Sequence, residues 1–146
     1  NNLISNYPDN IYLLETKADI LFSYGYTNEA VNFYKVVLNK YPDNLYARIR
    51  IFENIDLENI SENERINMFN DNLNLLIKFI NNQNILNTYL KLAKYNKKKE
   101  WIDFLNFWIN KNNDDINVIN KEIDKFSNSS DKDLLVLVRS IKNKFL

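Results

Sequence analysis

Apolar side chains recur at intervals of three and four residues along most of the chain, which is the spacing of one face of an α-helix. Two such segments, 11–24 and 28–40, are separated by Gly25-Tyr26-Thr27, where one helix can end and the next can begin. With one glycine and two prolines, the chain has few of the turn residues that an all-β fold requires. The sequence therefore predicts an all-α fold that contains a helical hairpin near its start.

Further helices are predicted from capping residues and helical periodicity. The capping-box sequence of residues 61–64, Ser-Glu-Asn-Glu, precedes one long helix. The apolar face of this helix carries Ile66, Phe69, Leu73, Leu76 and Ile80. Asp114 or Asp115 can cap the next helix, and a polar break precedes a last helix that Ser130 and Asp133 begin.

A tetrapeptide is repeated within the first third of the chain. Residues 7–10 and 41–44 both read Tyr-Pro-Asp-Asn, and the two copies lie 34 residues apart, which is the period of the tetratricopeptide repeat (TPR). Packing and turn residues of that family fall at Leu14, Ala18, Leu21, Gly25, Ala30, Tyr34, Val37, Leu38 and Pro42. The segment thus resembles the TPR family, and this resemblance implies stacked helical hairpins in an α-solenoid.

A weaker repeat follows in the second half. Residues 100–111 mirror residues 29–40 at an offset of 71, which indicates a degenerate repeat over about 84–115 and a lengthened middle repeat between the two. Trp101 then stands where Ala30 stands in the first hairpin. A large ring in place of a small side chain predicts wider helix packing there.

These observations predict one α-helical repeat domain over residues 1–146. Its parts are a TPR-like region over 1–54, degenerate repeats over 55–115 and a C-terminal capping helix pair over 116–146. Residues 1–6 are expected to end a preceding helix, because Leu3 and Ile4 stand one repeat before Val37 and Leu38. We therefore expect the chain to belong to a longer polypeptide, with room for an upstream targeting segment or membrane anchor.

Charge and composition bear on function mainly by exclusion. Lys and Arg together number 19, as do Asp and Glu, so the chain has no net charge to attract nucleic acid or an anionic membrane. It has no His and no Cys, which removes the commonest catalytic base, nucleophile and zinc ligands. We therefore expect no enzyme, no metal and no cofactor. No segment has the roughly 20 apolar residues of a membrane span, and the compartment, cytoplasmic or envelope-associated, stays open.

The TPR resemblance implies a scaffold or adaptor that holds a segment of another protein, or a second copy, in a groove. In that family the first helix of each hairpin lines the concave face. The corresponding stripes here carry Tyr12, Glu15, Asp19, Tyr46, Arg50 and Glu53, at helical spacings of three and four. An ordinary solvated helix face would carry similar residues. We expect Arg50 to be exposed and to pair with a carboxylate of the partner.

The sequence contains two further candidate sites as alternatives to the groove. Trp101, Phe104 and Trp108 form an aromatic cluster that is either core or a second protein interface. The basic segment Lys91–Lys99, with Tyr89 and Tyr95 interleaved, would suit an RNA-binding helical repeat. Helix-end capping by lysines and the neutral charge of the chain argue against nucleic acid.

Overall fold

The computed structural model describes residues 10–111 and 115–145, and this part of the chain is all-α, with no strand. Its nine α-helices are α1 (Ile11–Ser23), α2 (Thr27–Lys40), α3 (Leu45–Asn54), α4 (Glu62–Asp71), α5 (Leu73–Lys78), α6 (Gln83–Tyr95), α7 (Lys99–Asn110), α8 (Ile116–Asp124) and α9 (Lys132–Phe145). A 3-10 helix covers Leu57–Asn59. None of these helices is long and apolar enough to cross a membrane. The expectation for residues 1–6 and the cap candidate Asp114 fall outside the described residues.

The contacts divide the chain into two compact units. The first unit ends at Glu58 and contains α1–α3, and the second begins at Asn59 and contains α4–α9. The core of the first unit consists of Leu14, Ala18, Val31, Tyr34, Val37, Ala47 and Ile51. Ala18, Ala30 and Ala47 are fully buried, so their small side chains allow the helices to approach closely. These three alanines thus lie where the helices of the first unit contact each other.

The repeated tetrapeptide ends in a helix cap. Asn44 Oδ1 accepts a hydrogen bond from Ala47 N at 2.8 Å, and Asn10 Oδ1 accepts one from Leu13 N at 3.2 Å. Each asparagine satisfies a backbone N–H group that has no acceptor within the helix. The second copy of Tyr-Pro-Asp-Asn is therefore a helix-start signal for α3, as the Asn of the first copy is for α1.

The caps of the later helices agree in part with the sequence. Ser61 Oγ accepts from Glu64 N at 3.1 Å, and Asp115 Oδ1 accepts from Asn117 N at 2.8 Å, as expected. At α9, however, the cap is Asp131 and not Ser130, because Asp131 Oδ1 accepts from the N–H groups of the next turn. A carboxylate at this position is also favoured by the helix dipole.

The long helix expected after Ser61 is interrupted at Asn72, which corrects the sequence prediction. Asn72 has φ −122°, and its buried side-chain amide donates to Met68 O at 2.8 Å. The amide thereby occupies the carbonyl that would accept the helical hydrogen bond of this residue. The apolar stripe from Ile66 to Ile80 is consequently divided between α4, α5 and the turn after α5.

The hairpins α1–α2 and α6–α7 turn in the same way. Gly25 has φ +84° and Lys97 has φ +55°, and the N–H of the following residue donates back to the helix, from Tyr26 to Leu21 O and from Lys98 to Ala93 O, each at 2.9 Å. This is the Schellman arrangement, in which a left-handed residue ends the helix. The two turns lie 72 residues apart, one more than the repeat offset of 71. The buried positions of α2 and α7 nevertheless match at 71, since the buried Ala30 and Tyr34 correspond to the buried Trp101 and Leu105.

We expect Lys97→Gly to raise the free energy of unfolding by about 0.5–1 kcal/mol, because glycine adopts a left-handed conformation without the steric cost that a lysine Cβ incurs. Gly25→Ala is the matched change in the other direction. It should lower the free energy of unfolding by about 1 kcal/mol, because alanine is strained at φ +84° even though its Cβ would meet no atom within 4 Å. Urea unfolding of both variants measures these changes, and a loss of stability in Lys97→Gly would contradict the assignment of this turn.

Candidate functional site

The residues of the expected groove lie together on one surface of the first unit, which we call the α1–α3 face. It consists of Tyr12, Glu15, Asp19, Tyr46, Arg50 and Glu53. Tyr46 Oη donates to both carboxylate oxygens of Asp19, at 2.9 and 3.0 Å. Asn44 Nδ2 donates to Glu15 Oε1 at 3.0 Å. Two hydrogen-bonded pairs therefore bring the stripe on α1 next to the stripe on α3.

Tyr34 of α2 supports this face from behind. Its hydroxyl also donates to Asp19, and its fully buried ring stacks on Phe22 at 5.6 Å and meets the edge of Tyr46 at 6.0 Å. The sequence assigned Tyr34 to packing alone. Because a buried tyrosine hydroxyl needs a hydrogen-bond partner, the choice of Tyr over Phe at a core position was the signal that was missed.

The tyrosines of this cluster remain protonated. Burial raises the pKa of Tyr34 well above its usual range, and the hydrogen bond to Asp19 raises it further, because a nearby carboxylate disfavours a phenolate. Burial and then Asp19 likewise raise the pKa of Tyr46. Both hydroxyls therefore act as fixed donors to one carboxylate, and their raised pKa values do not favour phenolate chemistry near neutral pH.

Arg50 is not the exposed contact that the sequence suggested. Its guanidinium carbon lies 4.8 Å above the ring of Phe22, and its Nε is buried without a hydrogen-bond partner among the described residues. Burial alone would lower the pKa of Arg50, but its interactions with Tyr34, Tyr46 and Glu53 together outweigh burial and raise it. Arg50 thus belongs to the wall of the first unit, where packing against α1 and α2 has drawn it inward.

The groups that reach solvent on the α1–α3 face are aromatic and acidic. Tyr12 is 71% exposed, Tyr46 is also exposed, and Glu15, Asp19 and Glu53 are half-buried. The face has three carboxylates and one guanidinium, and that guanidinium is directed to Phe22. Its chemistry is therefore that of a ridge of phenol rings beside negative charge.

The aromatic cluster that was considered as an alternative interface lies in the core. Trp101, Phe104 and Trp108 are all buried in the second unit, so this interface prediction is corrected in favour of core. Trp101 meets Phe69 edge-on at 5.1 Å, and Trp108 Nε1 donates to Ile80 O at 2.7 Å. These rings are large enough to fill the space that α4, α6 and α7 enclose, and burial of their apolar area stabilises the unit.

The lysines of the basic segment are exposed, but of its two tyrosines only one is exposed. Lys91, Lys94 and residues 97–99 reach solvent. Tyr89 is fully buried and donates its hydroxyl hydrogen to Phe69 O at 3.1 Å, whereas Tyr95 is exposed beneath the guanidinium of Arg65. Because a stacking platform needs exposed rings, Tyr89 cannot contribute to one.

Metal ligands and known relatives give no further guide to function. Across residues 10–111 and 115–145, no group of three or more Asp or Glu side chains is arranged to hold a metal ion. Comparison of the chain with protein-family models, with curated proteins and with solved structures found no match. The geometry of the α1–α3 face is therefore the main guide to what the chain binds.

Proposed function

We propose that this chain is a non-enzymatic protein-binding module of the TPR type, and that its α1–α3 face holds a segment of another protein. The observation that carries the proposal is the pairing of Tyr46 with Asp19 and of Asn44 with Glu15. This pairing brings α3 beside α1, which supports the arrangement that the TPR resemblance implies for the first helices of successive hairpins. In this proposal, the hairpin α1–α2 and helix α3 are successive elements of an α-solenoid.

The support behind the face favours binding. Tyr34 and Tyr46 converge on Asp19, so the carboxylate and the exposed ring are held in place before any partner arrives. A binding surface that is already ordered loses less side-chain entropy on association than a mobile one. Tyrosine also provides a large contact area with only two side-chain torsions to restrict. The geometry therefore suits a rigid platform for a peptide segment.

The charge of the face indicates the kind of partner. Glu15, Asp19 and Glu53 leave the face net negative, and the single guanidinium of Arg50 packs over an aromatic ring. A basic side chain of a partner would gain charge-assisted hydrogen bonds here and a cation–π contact with the exposed phenol rings. We therefore propose a partner segment that carries Lys or Arg, in place of the partner carboxylate that was expected to pair with Arg50.

Selection of peptides from a random display library against this protein tests the proposal. Enriched peptides should contain Lys or Arg, and Tyr12→Ala should weaken their binding about fivefold or more, as measured by calorimetry. Tyr24→Ala is the matched control, because Tyr24 is 75% exposed but lies after the end of α1 and outside the face. It should bind like the parent.

Asp19→Asn isolates the role of charge. The amide oxygen can still accept from Tyr34 and Tyr46, whereas the negative charge is lost, so binding should weaken and become less sensitive to salt. If Tyr12→Ala and Asp19→Asn both bind the selected peptides like the parent, the α1–α3 face is not the binding site.

A further inference from the structure

Two carboxylates on α1 set the spacing of negative charge on the α1–α3 face. Glu15 and Asp19 are four residues apart on this helix, so they lie on the same side of it. At a rise of about 1.5 Å per residue, their positions are about 6 Å apart along the helix axis. Two basic groups that bind both carboxylates at once must therefore be separated by a similar distance.

Both carboxylates can accept further hydrogen bonds. Glu15 Oε1 accepts from Asn44 Nδ2 at 3.0 Å, and its other oxygen has no donor among the described residues. Asp19 accepts from the hydroxyls of Tyr34 and Tyr46. Neither carboxylate takes part in a salt bridge within the described part of the chain. Because an ionised carboxylate has about four acceptor positions, each can still bind one cationic group.

An exposed phenol ring accompanies each carboxylate. Tyr12 precedes Glu15 by three residues on α1, so the two are neighbours on the helix surface, and Tyr12 is 71% exposed. Tyr46 of α3 is also exposed and is hydrogen-bonded to Asp19. A basic side chain that reaches either carboxylate can also gain a cation–π contact with the neighbouring ring. The face thus has two similar subsites, the Glu15 subsite (Tyr12 and Glu15) and the Asp19 subsite (Tyr46 and Asp19).

The chemistry of this surface suits an extended segment better than an amphipathic helix. A helix that binds in a groove buries an apolar stripe. The exposed residues of the α1–α3 face, however, are two tyrosines beside half-buried carboxylates. An extended segment directs alternate side chains to the same side, and these are about 6.5 Å apart. This distance is close to the separation of about 6 Å between the two subsites.

We propose that the partner segment binds in an extended conformation and has basic residues at alternate positions, in the pattern Lys/Arg-x-Lys/Arg. One basic side chain binds at the Glu15 subsite and the other at the Asp19 subsite. The residue between them is directed away from the face, so its identity is not selected. This spacing depends on the proposed function, because the α1–α3 face must be the binding site, and it adds the feature by which the face distinguishes one basic segment from another.

Peptides of identical composition test the spacing. Each has two Arg residues in an Ala/Gln background, either adjacent or separated by one, two or three residues, and calorimetry at constant ionic strength measures its affinity for the protein. The peptide with one intervening residue should bind about fivefold more tightly than each of the others, because it alone places both cations at the subsites in an extended conformation. Tightest binding with three intervening residues would identify a helical segment and overturn the proposal.

Charge variants of the protein show whether each subsite takes one Arg. Glu15→Gln and Asp19→Asn keep an oxygen that can accept from α3 while the negative charge is lost. Each should reduce the preference for one intervening residue to less than about twofold, because one subsite no longer attracts a cation. Glu29→Gln is the matched control, since Glu29 is an exposed carboxylate of α2 outside the face, and it should leave the preference unchanged.

The same measurements separate failure of the spacing from failure of the proposed function. If all peptides bind the parent equally and Asp19→Asn weakens all of them, the face binds basic segments without selecting this spacing. The spacing proposal is then wrong and the proposed function stands. If no peptide binds, or if Glu15→Gln and Asp19→Asn both bind every peptide like the parent, both proposals are wrong.

Discussion

Replacing Trp101 with Ala should lower the free energy of unfolding of the second unit by about 3–5 kcal/mol, because the change leaves a large cavity in a packed core. Trp101 is 2% exposed, meets Phe69 edge-on at 5.1 Å and stacks on Tyr89 at 6.2 Å between ring centroids. The loss includes both the apolar area of the indole ring and its contacts with the two neighbouring rings. Urea unfolding followed by far-ultraviolet circular dichroism measures it.

Val118→Ala is the control for this change. Val118 lies on α8 in the same unit and is exposed, so its truncation should change the free energy of unfolding by less than about 0.5 kcal/mol. A loss below about 1 kcal/mol for Trp101→Ala would mean that the ring is not a core residue.

Replacing Ala30 with Trp should destabilise the first unit by about 1–3 kcal/mol or more, because the site has no room for a larger side chain. Ala30 is fully buried in α2, whose contacts with α1 and α3 form the core of this unit. An indole ring there would force the helices apart. The measurement is the same urea unfolding experiment.

Val36→Trp separates overpacking from the helix propensity of tryptophan. Val36 lies on the same helix and is 50% exposed, so a larger ring at this position can extend into solvent. We expect a change within about 0.5 kcal/mol. Equal stability of the Ala30→Trp and Val36→Trp variants would show that the packing assigned to α2 is wrong.

Much of the helical structure was predictable, because it depends on local sequence. The expected ends of α1 and α2 differ from the observed ends by one residue each, since Asn10, Gly25 and the capping pattern act within a single turn. The TPR resemblance also assigned Leu14, Ala18 and Tyr34 to packing, and all three lie in the core. Short-range hydrogen bonds and helical periodicity were sufficient for the helix ends.

The sequence did not predict three local features, because in each case neighbouring residues of similar type offered more than one possible helix end or cap. Asn72 interrupts the expected long helix because its side chain takes the carbonyl of Met68, although its apolar neighbours continue the helical spacing. Asp131 and not Ser130 caps α9, and both residue types are good caps. A helix end was expected among the lysines, but Lys97 ends α6 in a left-handed conformation that usually indicates glycine, so the turn itself had no distinctive residue.

The candidate site was predictable as a set of positions but not as an environment. The TPR resemblance, together with spacings of three and four residues, placed Tyr12, Asp19 and Tyr46 on two stripes, and Asp19 and Tyr46 are hydrogen-bonded. The inward position of Arg50 depends on where Phe22 lies, which helical spacing does not specify. The same holds for Tyr34, whose hydroxyl reaches Asp19 only because α2 packs behind both stripes.

The most direct test of the account is site-specific photo-crosslinking of a bound segment. Benzoylphenylalanine is placed at Tyr12 or Tyr46 on the α1–α3 face, and at Tyr24 or Val36 as exposed controls, and each protein is irradiated with a selected basic peptide. We expect crosslinks from positions 12 and 46, none from positions 24 and 36, and competition by unlabelled peptide. Crosslinks that form only from positions 24 and 36 would contradict it.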